Sequence, residues 1–348
     1  MSVSATWDVA VIGGGPAGLG MATELRRLGV EKVLILERES SAGGIPRHCG
    51  HPPFGMREFR RILTGPRYAE KLVHRAQQVG VKICTGTTVT ELGSGTELAI
   101  TSDQGMERIR AERVVLATGV RETPRSSRLV SGDRPQGVLT TGALQSMVYL
   151  QSRRPFDNPV IVGSELVAFS ALLTCRHAGI KPVAMVEQRD RVTAWPAATL
   201  LPRAQGISLR KNTDLLRILG RDRVSGVVLG NDGREESLQC DGVVFCGQFT
   251  SESALVRMSH LEVDQRSSGP VVDQFGRCSD LHYFAVGNTT HPADSAGRCW
   301  HEGKTNAHHV YRSLQNKLDK HTPTVSLVPV SPEIRYVMPQ KLNRDMDD

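Results

Sequence analysis

The sequence predicts an α/β protein with two doubly wound, three-layer domains. Three observations predict it. An apolar run, Trp7 to Ile12, leads into Gly13-x-Gly15-x-x-Gly18, a helical stretch that stops at Gly29, and a second apolar run, Lys32 to Leu36. The same offsets recur at mid-chain: Gly13 to Gly29 and Gly163 to Gly179 each span 16 residues, and Gly13 to Glu37 and Gly163 to Glu187 each span 24. Each copy is followed by an apolar strand that ends in glycine, Arg113 to Gly119 and Gly242 to Gly247. A strand–helix–strand unit repeated at matched offsets marks two Rossmann-like domains.

The first glycine turn has a chemical meaning. Gly13 permits the sharp turn, Gly15 lets backbone approach a pyrophosphate, and Gly18 lets the helix pack on the strand. The helix start offers N–H groups and partial positive charge to phosphate. Glu37 lies 19 residues past Gly18, where a carboxylate can accept from a ribose diol.

Bulk composition narrows the class. A length of 348 residues suits two domains. Net charge is +7, yet the basic residues are scattered and aromatics make up only 5%, which disfavours a nucleic-acid partner. Seven cysteines without a Cys-x-x-Cys spacing read as reduced thiols, and the expected location is cytoplasmic. No signal peptide is visible ahead of the glycine turn, and no apolar run is long enough for a membrane span.

The remaining elements follow in order. Gly43 and Gly44 make a flexible turn into a Pro- and His-rich loop, Arg47 to Gly55. Residues 57–79 read as helical, broken near Gly65-Pro66. Residues 81–110 read as short strands of an antiparallel meander, with Arg113 to Thr118 as a separate strand. Residues 120–157 read as a crossover with a helix near Gly142 to Gln151. Leu281 to Asn288 closes as a strand, a helix follows from about Ser295, and residues 333–338 read as one last strand before a disordered tail.

The second copy is altered. Glu165 stands where Gly15 stands in the first, and Ala168 where Gly18 stands. A carboxylate ~5 Å from a pyrophosphate costs on the order of 3 kcal/mol per pair of like charges at an effective dielectric of about 20. The second domain is therefore read as keeping the fold while binding a nicotinamide dinucleotide poorly; the alternative is that Glu165 swings away.

VIGGGPAGLG, Glu37, Gly43-Gly44, VVLATG and FAVGN together resemble the two-dinucleotide-domain flavoprotein family that contains the pyridine nucleotide–disulfide oxidoreductases. The resemblance implies a discontinuous FAD domain, residues 1–122 and 249–320. A degenerate NAD(P)-binding-like domain, residues 123–248, is inserted in it, and 321–348 form a C-terminal tail. It implies FAD contacts from Gly13, Gly15, Pro16, Ala17, Gly18, Glu37, Arg38, Gly44, Ile45, Val89, Ala117, Thr118, Gly119, Gly287 and Asn288. Asn288 replaces the family's usual Asp at the ribityl chain. GGIPRHCGHPPFG, LTGPRYAEKL and IRYVMPQKL look closer to a branch holding the flavoprotein subunits of opine oxidases, hydrogen cyanide synthase and heteromeric amine or proline-type dehydrogenases. That branch implies that the partner is a second flavoprotein subunit, and that the chain meets a small-molecule substrate or electron donor.

His48 and Cys49 are the reactive-looking pair. The loop after Gly44 commonly passes the flavin in the family, and Arg47 or His48 would raise the thiolate fraction of Cys49. A metal at His48, Cys49 and His51 is disfavoured, because no second ligand group stands at finger spacing. His291, His301, His308 and His309 read as surface or helix-end residues. Three functions result: an FAD-dependent, electron-transferring subunit of a heteromeric dehydrogenase or oxidase; a stand-alone NAD(P)H-dependent flavin reductase; and a non-catalytic FAD-binding assembly subunit. The third draws on the absence of a convincing acid–base or thiol pair.

Overall fold

The computed structural model describes residues 3–318 and 324–343. The chain divides into two compact units. The first comprises the residues up to Arg47, Pro53–Arg121 and those from Thr250 onward; the second comprises His48–Pro52 and Glu122–Phe249. The second is thus inserted in the first.

In the first unit a seven-stranded sheet is ordered Lys82–Cys84, Val33–Leu36, Val3–Ile12, Gly105–Leu116, Glu97–Ser102 and Thr88–Leu92, with Tyr283–Ala285 also paired to Gly105–Leu116. Side chains alternate across the central strand. Val9 and Val11 pack with Leu19, Met21 and Leu25 of the Pro16–Arg27 helix and with Ala307 and Val310 of the Ala296–Leu314 helix. Ala10 and Ile12 pack on the other face with Val114, Leu116, Leu98 and Tyr283. Both faces are covered from Val9 to Ile12, so that part of the strand is apolar at every position, as a buried parallel strand requires.

The second unit repeats the plan. Its five-stranded sheet is ordered Ser208–Arg210, Ala184–Val186, Pro159–Val162, Gly242–Phe245 and Val138–Thr140, all parallel. One face packs Ile161, Met185 and Val244 against Ala168, Leu172 and Cys175 of the Leu166–His177 helix. The other packs Val160, Val186 and Val243 against Ile218, Val227 and Leu229 of a second, four-stranded sheet.

The repeat extends to the hydrogen bonds. Gly13 N–H donates to Leu36 O at 2.9 Å, and Gly163 N–H to Val186 O at 2.8 Å. Ala117 N–H donates to Ile12 O, and Cys246 N–H to Val162 O, both at 2.9 Å. Thr87 N–H donates to Glu37 O at 2.9 Å, and Thr213 N–H to Glu187 O at 3.0 Å.

The helical region is broken where the sequence places the break: Met56–Phe59 and Gly65–Gln78 are separate helices, and Pro66 stands in the first turn of the second, which needs no N–H from proline. Three local expectations change. Lys82–Cys84 pairs parallel with Val33–Leu36 and lies outside the meander. The last meander strand and the Arg113 strand are one continuous element, Gly105–Leu116. Residues 333–338 form no strand; Pro332 and Pro339 bracket them, and the pairing is made by Lys341–Asn343 with Thr324–Ser326. The expected tail beyond Asn343 and the linker residues 319–323 lie outside the described residues.

Candidate functional site

The first cradle is lined by backbone. A Cβ on Gly18 would collide with the Gly13 carbonyl oxygen, and a Cβ on Gly44 would lie 2.8 Å from Gly15 Cα. Gly43 N–H donates to Gly14 O at 2.7 Å and ties the two turns together. Gly15 caps the Pro16–Arg27 helix and has no side chain to bond into that N-terminus. The N–H groups of Ala17 and Gly18 lie in that first turn, where an intrahelical partner is lacking. Proline at its start removes a donor the turn does not need.

Glu37 closes the cradle. Its Oε2 accepts from Gly14 N–H and its Oε1 from Glu39 N–H, both at 2.9 Å. These two bonds fix a buried carboxylate and leave each oxygen a lone pair. Arg38 stands beside it, 3.7 Å from Glu252. Ile45 is exposed, in the short turn Ile45–His48. Val89 is buried in the apolar core.

The strand ends meet at a residue that sequence reasoning does not single out. Thr289 is fully buried; its Oγ1 accepts from Gly119 N–H at 2.8 Å and lies 3.3 Å from Thr118 Oγ1. Thr118 Oγ1 donates to Glu252 O at 2.7 Å. The turn after Ala117 is thereby held by the turn after Gly287, and the Gly119 N–H is already used. The sequence signal for Thr289 is its place directly after Gly287-Asn288.

Asn288 is also engaged. Its Oδ1 accepts from Asp294 N–H at 2.8 Å, and its Nδ2 donates to Asp294 O at 3.1 Å. Gly287 N–H donates to Glu302 Oε1 at 2.9 Å, and Glu302 Oε2 lies 2.8 Å from His291 Nε2. His291 is therefore no surface residue: it forms a half-buried pair with a carboxylate. Burial opposes its charge, but the hydrogen bond and the carboxylates of Glu302 and Asp294 outweigh that and raise its pKa above the usual histidine range.

His48 and Cys49 group with the second unit, not with this cradle. Cys49 Sγ lies 3.5 Å from Gln145 Oε1, and His51 Nε2 lies 2.5 Å from Ser170 Oγ. Burial pushes the Cys49 thiol up to about 12. The expected thiolate does not form, because desolvation outweighs every favourable neighbour; Arg47 is spent on Glu39 at 2.8 Å. Among the described residues, no three metal-ligating side chains form a group that could hold a metal ion.

The second cradle keeps its turn, and carboxylates of the chain bond to its backbone donors. Ser164 Oγ donates to Glu187 Oε2, and Arg189 N–H donates to Glu187 Oε1 at 3.0 Å, the counterpart of the Glu37 clasp. Glu165 caps the Leu166–His177 helix in extended conformation. Its Oε1 accepts from Gln248 N–H at 2.8 Å, just past the end of the Gly242–Phe245 strand. A Cβ on Gly247 would collide with that carboxylate. Glu122 accepts from Gly247 N–H at 3.0 Å and from Gly142 N–H at 2.7 Å. Arg128 donates to Gly247 O at 2.7 Å. The backbone donors at this strand end therefore face carboxylates of the chain itself.

Fold and glycine cradles together define an oxidoreductase built on paired dinucleotide-binding folds. The family model described as pyridine nucleotide-disulphide oxidoreductase matches residues 7–313, and the chain belongs to that FAD-binding family. One of the two opine oxidase subunits it resembles, from Rhizobium meliloti, is 23% identical over 313 residues, covering 81% of this chain and 58% of that one. The other, from Rhizobium meliloti strain 1021, is 25% identical over 183 residues, covering 52% of this chain and 38% of that one. The chain thus spans less than two thirds of the length of these relatives. A probable ferredoxin reductase of Castellaniella defragrans is 26% identical over 301 residues, covering 83% of this chain and 69% of that one. Thioredoxin reductase of T. acidophilum shares the fold at a TM-score of 0.74 and 21% identity, covering 88% of this chain and 98% of its own. No helix among the described residues is long and apolar enough to cross a membrane.

Proposed function

We propose that this chain is the electron-transferring flavoprotein subunit of a heteromeric dehydrogenase or oxidase acting on a small amine or hydroxy compound. The observation that carries it is the Glu165 carboxylate fixed on Gln248 N–H, in the seat a nicotinamide pyrophosphate would need. With that seat filled, reducing equivalents come from a substrate or a partner flavin instead of NAD(P)H. The likeness to the opine oxidase subunits supports a partner chain.

The first cradle fits FAD: glycines leave backbone open at Gly15 and Gly44, and Glu37 is clasped with free lone pairs. Glu37 would take the ribose diol, and Ala17 and Gly18 N–H the pyrophosphate, with Arg38 beside them. Bound there, the flavin supplies two-electron redox chemistry; the residues bind and orient it. Cys49 is a protonated packing residue, and His48, buried beside it in sequence, is given no chemical role.

A second reading is a stand-alone NAD(P)H-dependent flavin reductase. The intact Gly163 turn and the Glu187 clasp favour it. Purified protein is expected to be yellow with a flavin spectrum, and chains that co-purify from the native host identify the partner. Colourless protein that refuses added FAD would defeat both readings.

A further inference from the structure

We infer that His291 and Glu302 form a charge-balanced pair that makes retention of FAD depend on a single proton. The inference rests on the reading that the first cradle holds FAD.

The geometry is a closed ring. Gly287 N–H donates to Glu302 Oε1 at 2.9 Å, and Glu302 Oε2 meets His291 Nε2 at 2.8 Å. His291 Nδ1 lies 3.4 Å from Asp294 Oδ2, and Asp294 is bonded through its main chain to Asn288, the neighbour of Gly287. The ring stands against the phosphate seat. A Cβ on Gly287 would come within 2.7 Å of Ala17 Cβ, in the first turn of the helix that opens the cradle. Gly303, next to Glu302, packs so tightly there that a Cβ would collide with Ala17 O.

A carboxylate beside a pyrophosphate is repelled unless a cation balances it. Two cations serve two carboxylates here. Arg298 Nη1 pairs with Asp294 Oδ1 at 3.0 Å, which leaves Glu302 to His291. The other ionisable groups facing this ring are Cys299, whose thiol is pushed up by burial, and Tyr336 near Asp294; Glu58 and Arg57 face Gly297 on the same helix. The cluster is neutral when His291 is protonated and carries one negative charge when it is not. The raised pKa of His291 agrees with a site built to keep the proton. The sign follows: a bound dianion holds the proton more tightly still, so affinity is full at low pH and falls as pH rises through the His291 pKa.

The test uses full-length protein stripped of flavin and titrated with FAD, by quenching of flavin fluorescence, at intervals from pH 6 to pH 10. Wild type is expected to weaken about tenfold across a one-proton step. His291→Gln is expected to sit at the weak, high-pH level with no step. Glu302→Gln, which removes the main carboxylate partner of His291, is expected to bind tightly and to move the step to lower pH. Circular dichroism checks the fold of each variant; if His291→Gln does not fold, Glu302→Gln decides. A step that persists in His291→Gln, a step that does not move in Glu302→Gln, or a wild type that binds FAD equally at every pH, overturns the proposal. A wild type that takes up no FAD at any pH overturns the FAD reading itself, and this proposal with it.

Discussion

Glu165 and Gln248 are joined across the mouth of the second cradle by a 2.8 Å hydrogen bond from a main-chain N–H to a side-chain carboxylate. In the first cradle the equivalent position is Gly15, which carries no side chain to make such a bond. One fold, used twice, carries a glycine at this position in one copy and a hydrogen-bonded glutamate in the other.

Replacing Glu165 by glycine removes both the charge and the obstruction. Glu165→Gly is expected to speed flavin reduction by NADH or NADPH about a hundredfold, which uses roughly 3 kcal/mol of relieved repulsion. Stopped-flow absorbance of the flavin under anaerobic conditions measures it. No gain would place the block elsewhere.

Gly18 is held against the Gly13 carbonyl oxygen. Gly18→Ala must push the helix away from the strand, at a cost of about 3 kcal/mol. The variant is expected to melt lower and to purify with little flavin. Calorimetry and the ratio of flavin to protein absorbance read both effects.

Cys49 is a poor nucleophile, with its thiol at about 12 and its side chain buried. At pH 8 the thiol is held in its protonated form. Iodoacetamide at that pH is expected to leave Cys49 unmodified in the folded protein, by mass spectrometry, and Cys49→Ser to keep its flavin spectrum. Rapid labelling would restore the thiol as a candidate for chemistry.

Asn288 uses both ends of its amide on the Asp294 main chain. Asn288→Asp recreates the residue usual in the resembling family, yet it sets a carboxylate oxygen against the Asp294 carbonyl. Flavin binding is expected to weaken by about 1–3 kcal/mol. Isothermal titration with FAD checks it; a tighter complex would mean that the side chain leaves Asp294 for the ligand.

Glu122 is a carboxyl whose burial raises its pKa despite two backbone donors. A raised folded-state value means stability is fully present below the unfolded pKa and is lost as pH rises through the folded one. Glu122→Gln is expected to remove that slope in the pH range that runs upward from the unfolded glutamate value of about 4. Urea unfolding across the interval, followed by tryptophan fluorescence, compares the two proteins.

The glycine spacings carry much of the fold. Gly13, Gly15, Gly18 and their matched positions at Gly163 to Glu187 announce two strand–helix–strand units, because only a tight turn against backbone explains them. Contacts between residues far apart in sequence are what the spacings do not carry. Thr289 is ordinary in sequence and becomes a fastener only when Gly119 arrives 170 residues away. His291 reads as a surface histidine because Glu302 approaches it only once the Ala296–Leu314 helix has formed. Cys49 misleads for the converse reason: a flanking arginine and histidine are visible in sequence, while the desolvation that dominates them is not.

The most direct test of the blocked second cradle is to mix the FAD-loaded protein with NADH and with NADPH in the absence of oxygen. Flavin absorbance near the visible maximum is expected to hold steady for minutes in the wild type and to bleach in Glu165→Gly. Rapid bleaching of the wild type by either nucleotide would contradict the central claim, because the second cradle would then be serving a ligand that its own carboxylate is proposed to exclude.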